Sequence, residues 1–155
     1  MKKGCGGRMA KYRMVRSDFW KNPIVLKEMT PEDKYFYLYL LTNSRTTHIG
    51  IYPITKKEMA FDLGVSLESV HLLMERFEEH YQMIRYNSKT REIAIKSWGI
   101  EILQKCGKTL MDCICSELKE VEDHTLIPYV LESIHMEEIR RLYEDFLNRT
   151  SQRNG

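Results

Sequence analysis

The chain has 155 residues, 43% hydrophobic and 30% charged, with a formal net charge of +2, which fits one domain of ordinary size with a real core. No run of eighteen apolar residues is present, and the basic start MKKGCGGRMAKYRMVRSDFW lacks an apolar segment, so neither a membrane span nor a secretory leader is expected and the expected location is the cytoplasm. In such a chain the four cysteines, Cys5, Cys106, Cys113 and Cys115, are expected to stay reduced rather than to form a disulfide framework.

The charge is unevenly spread. Residues 1–22 carry seven Lys/Arg against Asp18 alone, residues 23–98 balance ten against ten, and residues 99–155 carry seven against eleven acids. A basic beginning and an acidic end suit contact with something anionic at one end, or with a neighbouring copy's other end. Two readings of the first eight residues stand side by side. The codons for CGGR can contain the purine-rich GGAGG that precedes bacterial start codons, which would make Met9 the start; a Gly-rich basic tail is the other.

The arm, 1–22, interleaves Lys11, Arg13, Arg16 and Lys21 with Tyr12, Phe19 and Trp20, a pattern that holds nucleic acid through phosphates and stacking. Phe19, Trp20, Ile24, Val25 and Leu26 put more apolar surface into one short segment than a small domain readily covers, so a homo-oligomer interface is expected there. Packing of Phe19 and Trp20 on the body of the domain is the competing reading.

TPEDKYFYLYLLTN opens with Thr30 as N-cap, Pro31 at the first helical position and Asp33 three residues after the cap, then runs nearly all apolar, which predicts a central buried helix. HIGIYPI reads as a short strand through Ile49 and Ile51, ended by Pro53 at a sheet edge. A second helix start follows, with Thr55 as cap, Glu58 reaching back and Ile54 stapling onto Met59. That helix ends at Gly64, suited to the left-handed conformation. A third start comes at once, with Ser66 as cap and Val65 placed to staple onto Val70. Two helices joined this tightly cross steeply, as in a helix-turn-helix, and Ala60, Gly64 and Val70 have that motif's spacing. The third helix buries Val70, Leu73, Met74 and Phe77 and turns outward Glu68, His71, Leu72, Glu75, Glu78 and Glu79. Then come alternating strands around Ile84 and Tyr86 and around Ile93 and Ile95, with a turn over Asn87 to Thr90. The fold class predicted is mainly α with a small β-hairpin. It is a winged helix over 23–98, followed by a helical extension, 99–150, with helices near 108–122 and 125–148, and a disordered tail, 151–155.

The helix that would enter the major groove presents Ser66, Leu67, Glu68, His71, Leu72 and Glu75. Two carboxylates, two leucines and no Arg or Lys make a poor guest for a phosphate-walled groove, although Glu can accept from cytosine N4. Leu72 among acids fits a protein-binding face better. DNA contact is therefore expected at Lys11, Arg13 and Arg16 of the arm and at Arg85, Lys89, Arg91 and Lys96 of the wing, set against Glu92. A zinc site of Cys106, Cys113, Cys115 and His124 is not expected. C-x6-C-x-C lacks the knuckle spacing, and Cys113 and Cys115 point to different sides of a helix, so small buried hydrophobes are the better reading. None of the five histidines sits in a nucleophile or acid–base pattern and there is no phosphate loop, so neither an enzyme nor a cofactor is expected.

At MAKYRMVRSDFWKNPIVLKEMTPEDKYFYLYLLTN, GIYPITKKEMAFDLG and IAIKSWG the chain resembles the N-terminal region of the DnaD-like replication-initiation proteins of Gram-positive bacteria and their phages, over about residues 9–135. The resemblance implies a winged-helix domain that self-associates as a scaffold in primosome assembly, with replication-initiation or helicase-loading proteins as partners. It implies that much of the DNA binding belongs to a second helical domain. After Phe146 only LNRTSQRNG remains, so an oligomerising adaptor with weak, non-specific DNA contact is expected. The alternative is a winged-helix transcriptional regulator, which would protect a discrete palindromic site.

Overall fold

The computed structural model describes residues 12–154, which form a mainly helical fold with a small three-stranded antiparallel sheet. The described part of the arm is strapped down. Val15 bridges Ile102, the Arg16 amide donates to Glu101 O at 2.9 Å, and the Leu103 amide donates to Met14 O at 2.8 Å. A 3-10 turn, Ser17–Lys21, then drops Phe19 into the core, and a short helix, α1 (Pro23–Lys27), is capped by Asn22 with proline at its start.

Helix α2 (Pro31–Thr42) begins on the expected capping box: Thr30 accepts from the Asp33 amide and Asp33 from the Thr30 amide. Asp33 does more than cap. Fully buried, it also accepts from Arg76 Nε at 2.8 Å and from the Tyr81 hydroxyl at 2.6 Å. Burial alone would raise its pKa, but the hydrogen bonds from Tyr81, Arg76 and the Thr30 amide, with the charge of Arg76, hold it below the usual carboxylate value.

Strand β1 (Ile51–Pro53) lies at one edge of the sheet, as its terminal proline requires. Helices α3 (Lys56–Leu63) and α4 (Leu67–Glu75) follow, and a π-helical turn, Arg76–His80, continues α4 and carries Arg76 to Asp33 and Phe77 into the core. Strands β2 (Ile84–Asn87) and β3 (Glu92–Ile95) form the hairpin, with β3 central in the order β1-β3-β2. The pairings Ile84 to Ile95 and Tyr86 to Ile93 put these four residues on one sheet face. Arg85, Asn87, Glu92 and Ala94 take the other by the two-residue period.

Four carboxyl-terminal helices follow, α5 (Trp98–Glu101), α6 (Lys108–Glu120), α7 (Leu126–Leu131) and α8 (Glu137–Arg153); α7 packs on β3 and β1, α5 and α8 pack on α7, and α6 packs on α8. Glu92, the acid counted against the wing cations, is buried, and its carboxylate accepts from the amides of Glu122 and Asp123 at 3.0 and 2.9 Å. The helix expected near 125–148 is two helices. Leu126, Ile127, Tyr129, Val130 and Leu131 are all buried, so α7 must run through the core. Arg140 caps its end by donating to the Leu131 and Ile134 carbonyls, each at 3.0 Å, and α8 turns back onto α6. Helix α8 reaches Arg153, inside the segment expected as a tail. One hydrophobic core runs from Phe19 to Tyr143, through both 23–98 and 99–150. At the junction Gly50 has φ +73, and a Cβ there would overlap the Trp98 side chain.

The cysteines depart from expectation in two ways: Cys113 is buried but disulfide-bonded, and Cys106, read as a buried hydrophobe, is exposed; Cys106 and Cys115 are free, and Cys115 is partly buried. Cys5 lies outside the described residues. Among the described residues no helix is long and apolar enough to cross a membrane.

Candidate functional site

The surface that merits a functional reading is built on the joint between α3 and α4. Thr55 and Glu58 form a reciprocal capping box at the start of α3, Gly64 ends that helix at φ 69 and ψ 33, and Ser66 accepts from the Ser69 amide to start α4. Met59 and Leu63 of α3 and Val70, Leu73 and Met74 of α4 are buried. This anchoring leaves Leu67, Glu68, His71, Leu72 and Glu75 exposed. Leu72 is 57% exposed, and Phe61, not singled out in the sequence, is 88% exposed. Glu68, Glu75 and Glu79 form no ion pair among the described residues. The face is therefore apolar at its centre and anionic around it, a composition suited to protein rather than to phosphate.

Beside that face lies a cleft of about 410 Å³ between the first turn of α3, α4 and the hairpin, lined by Thr55, Lys56, Lys57, Leu67, His71, Tyr86, Ser88 and Arg91. No carboxylate lines it. Lys56 is held in place: its ammonium sits 5.6 Å from the Tyr86 ring centroid and 3.4 Å from His71 Nδ1, a contact in which the ammonium is the donor. Tyr86 is itself fixed by its hydroxyl donating to Ile54 O at 2.8 Å, and burial raises its pKa. Arg91 projects from a left-handed backbone, φ 60, while its carbonyl accepts from the Ile54 amide at 2.8 Å. Two carboxylates stand behind the lining: Glu58, which accepts from the Thr55 hydroxyl at 2.9 Å, and Glu78, whose pKa is raised by burial against the opposing pull of Lys56.

The residues expected to bind DNA are dispersed. Lys11 lies outside the described residues. Arg13 is not available to a phosphate. It donates to Thr46 Oγ1 at 2.9 Å and Thr46 O at 2.7 Å and lies 5.7 Å from the Trp98 ring centroid, and burial lowers its pKa despite Glu117. Arg16 is exposed and pairs with Asp18 at 3.3 Å. Arg85 and Lys96 sit over the Tyr129 ring, at 4.3 and 6.0 Å, on the sheet side that α7 covers. Lys89 is exposed at the hairpin turn. Arg91 alone of the expected set lines the cleft, where it joins Lys56, Lys57 and His71, which the sequence reading did not select. The signal for the two lysines was present, since they follow the Thr55 cap directly, but their partner surface on the hairpin is about thirty residues away.

The expected interface residues divide as well. Phe19 and Val25 are buried in the chain's own core, so they cannot serve a second subunit, and Phe19 packs against Tyr37 and Trp20 at ring-centroid distances of 5.3 and 5.1 Å. Ile24 is partly buried against the same core. Trp20 and Leu26 remain 51% and 54% exposed. Among the described residues no three His, Cys, Asp or Glu side chains gather as metal ligands. Comparison with models of protein families, with curated proteins and with solved structures finds no match to this chain.

Proposed function

We propose that this chain is a DnaD-like winged-helix adaptor of DNA replication initiation, a non-enzymatic, cytoplasmic scaffold that self-associates and touches DNA weakly and without sequence preference. The element order of helix, strand, two tightly joined helices and hairpin, with the first strand paired to the last, supports the winged-helix reading. The observation that carries the adaptor reading is the outward face of α4. The positions that would read bases are Ser66, Leu67, Glu68, His71, Leu72 and Glu75, exposed and without Arg or Lys, and Phe61 is 88% exposed one helix earlier. Partners are replication-initiation or helicase-loading proteins at this face, and further copies of the chain at Trp20 and Leu26. DNA contact falls to the hairpin and the cleft behind it, not to the arm as a whole.

Light scattering of the purified protein, alone and with a candidate replication protein, tests the reading. Particles larger than one chain, growing with the partner and losing that growth in Leu72→Asp, support it. A monomer that protects a discrete palindromic site in a footprint would establish the transcriptional regulator instead.

A further inference from the structure

The cleft has a composition that the adaptor reading does not require. Lys56, Lys57 and Arg91 come from two elements, none forms an ion pair among the described residues, and Lys56 is already ordered by Tyr86 and His71. Ser88 adds a hydroxyl to the lining, whereas the Thr55 hydroxyl is spent on Glu58, donating to its Oε1 at 2.9 Å. Three cations with the Ser88 hydroxyl beside them match a chain of phosphates, and ordering Lys56 in advance lowers the entropy lost on binding. The neighbouring surface limits which phosphate chain can enter. A duplex seated with one backbone in the cleft brings the rest of its groove against α4, where Glu68 and Glu75 meet phosphate, and like charges so placed oppose binding. A single strand can leave the cleft away from α4. Its unstacked base also finds apolar surface at Leu67, which is 39% exposed on the cleft's lining.

We propose that the cleft between α3, α4 and the hairpin holds the phosphodiester backbone of single-stranded DNA, and that Glu68 and Glu75 exclude the duplex. This rests on the reading of the chain as one that engages DNA, and it names the strand state that it engages. With about three phosphates neutralised, the slope of log K against log salt for a single strand is about −2.

The test is fluorescence anisotropy with a 15-nucleotide oligo(dT) and a 15-base-pair duplex from about 50 to 200 mM salt. The single strand is expected to bind at least about tenfold more tightly. The double substitution Lys57→Gln with Arg91→Asn removes two cations from exposed positions, and asparagine tolerates the left-handed backbone at 91. It should weaken oligo(dT) binding about tenfold or more and shrink the salt slope by about 1.4. Glu68→Gln with Glu75→Gln should raise duplex affinity. The proposal fails if the cleft substitutions leave oligo(dT) binding unchanged, or if Arg85→Gln with Lys96→Gln removes it instead. It also fails if the duplex binds as tightly as the single strand, or if neither binds at 50 mM salt. None of these outcomes alters the particle mass that tests self-association, and only the last, binding of neither DNA, also removes the DNA contact on which the proposal rests.

Discussion

Asp33 joins the start of α2 to the end of α4, and removing it tests whether that joint sets the candidate face. Asp33→Ala loses the cap to the Thr30 amide, worth about 1 kcal/mol, and the charge-assisted hydrogen bonds from Arg76 Nε and the Tyr81 hydroxyl. A hydrogen bond to a charged group contributes about 1.5–3 kcal/mol. The low end applies, because Arg76 is 37% exposed and can return to water, and Tyr81 can still donate to Glu28 O at 3.2 Å. The expected loss is about 4 kcal/mol, a shift of about 2 M in the urea midpoint at roughly 2 kcal/mol/M. Asp33→Asn keeps an acceptor for Thr30 and should lose about half as much. Arg76→Gln should cost about 3 kcal/mol, since it leaves a carboxylate that is 0% exposed without its counter-charge. The double variant Asp33→Asn with Arg76→Gln should be less destabilised than the two singles together, by at least about 1 kcal/mol. Additivity within about 0.3 kcal/mol, or a loss below 1 kcal/mol for Asp33→Ala, would refute the reasoning.

The same carboxylate sets a pH dependence. Its folded-state pKa lies below the unfolded value of about 3.9, so its contribution is complete above that value and fades as pH falls through the lower folded value. Acid unfolding of Asp33→Asn should accordingly be less steep than that of the native chain. Gly50→Ala should be far more damaging than Gly64→Ala, though both have positive φ. A methyl at 50 meets Trp98 whereas one at 64 meets open space, so thermal melts should show a loss of several kcal/mol against about 1. Glu92→Ala leaves the Glu122 and Asp123 amides without their acceptor, and a loss of about 2 kcal/mol with faster hydrogen exchange at those two amides is expected. Trp20→Ser with Leu26→Ser should yield monomers by light scattering while the melting temperature moves little. Deleting residues 1–26 would unfold the chain by removing Phe19 and Val25 from the core.

What local chemistry dictates was legible. The caps at Thr30, Thr55 and Ser66, the left-handed Gly64, the edge proline of β1 and the two hairpin strands each depend on groups within a few residues, and all appear where the spacing placed them. The acidic, leucine-bearing outward face of α4 was legible for the same reason, because a helix period assigns faces without reference to the rest of the chain.

What a charged or apolar side chain does on its face was decided by packing. Arg13 looked like a phosphate contact and is spent on Thr46, 33 residues away. Glu92 counted only as an acid set against the wing's cations and became the acceptor for two amides about thirty residues on. Phe19 and Val25 looked available to a second subunit and fill the chain's own core. Lys56, Lys57 and Arg91 looked like parts of separate elements and line one cleft. Helix caps and strand periods come from interactions that close within one turn or one pleat, so composition and spacing encode them directly. Each of these fates depends instead on which distant surface arrives opposite the residue, and that is set by how α2 to α4, the hairpin and α5 to α8 bury their apolar faces together in one core.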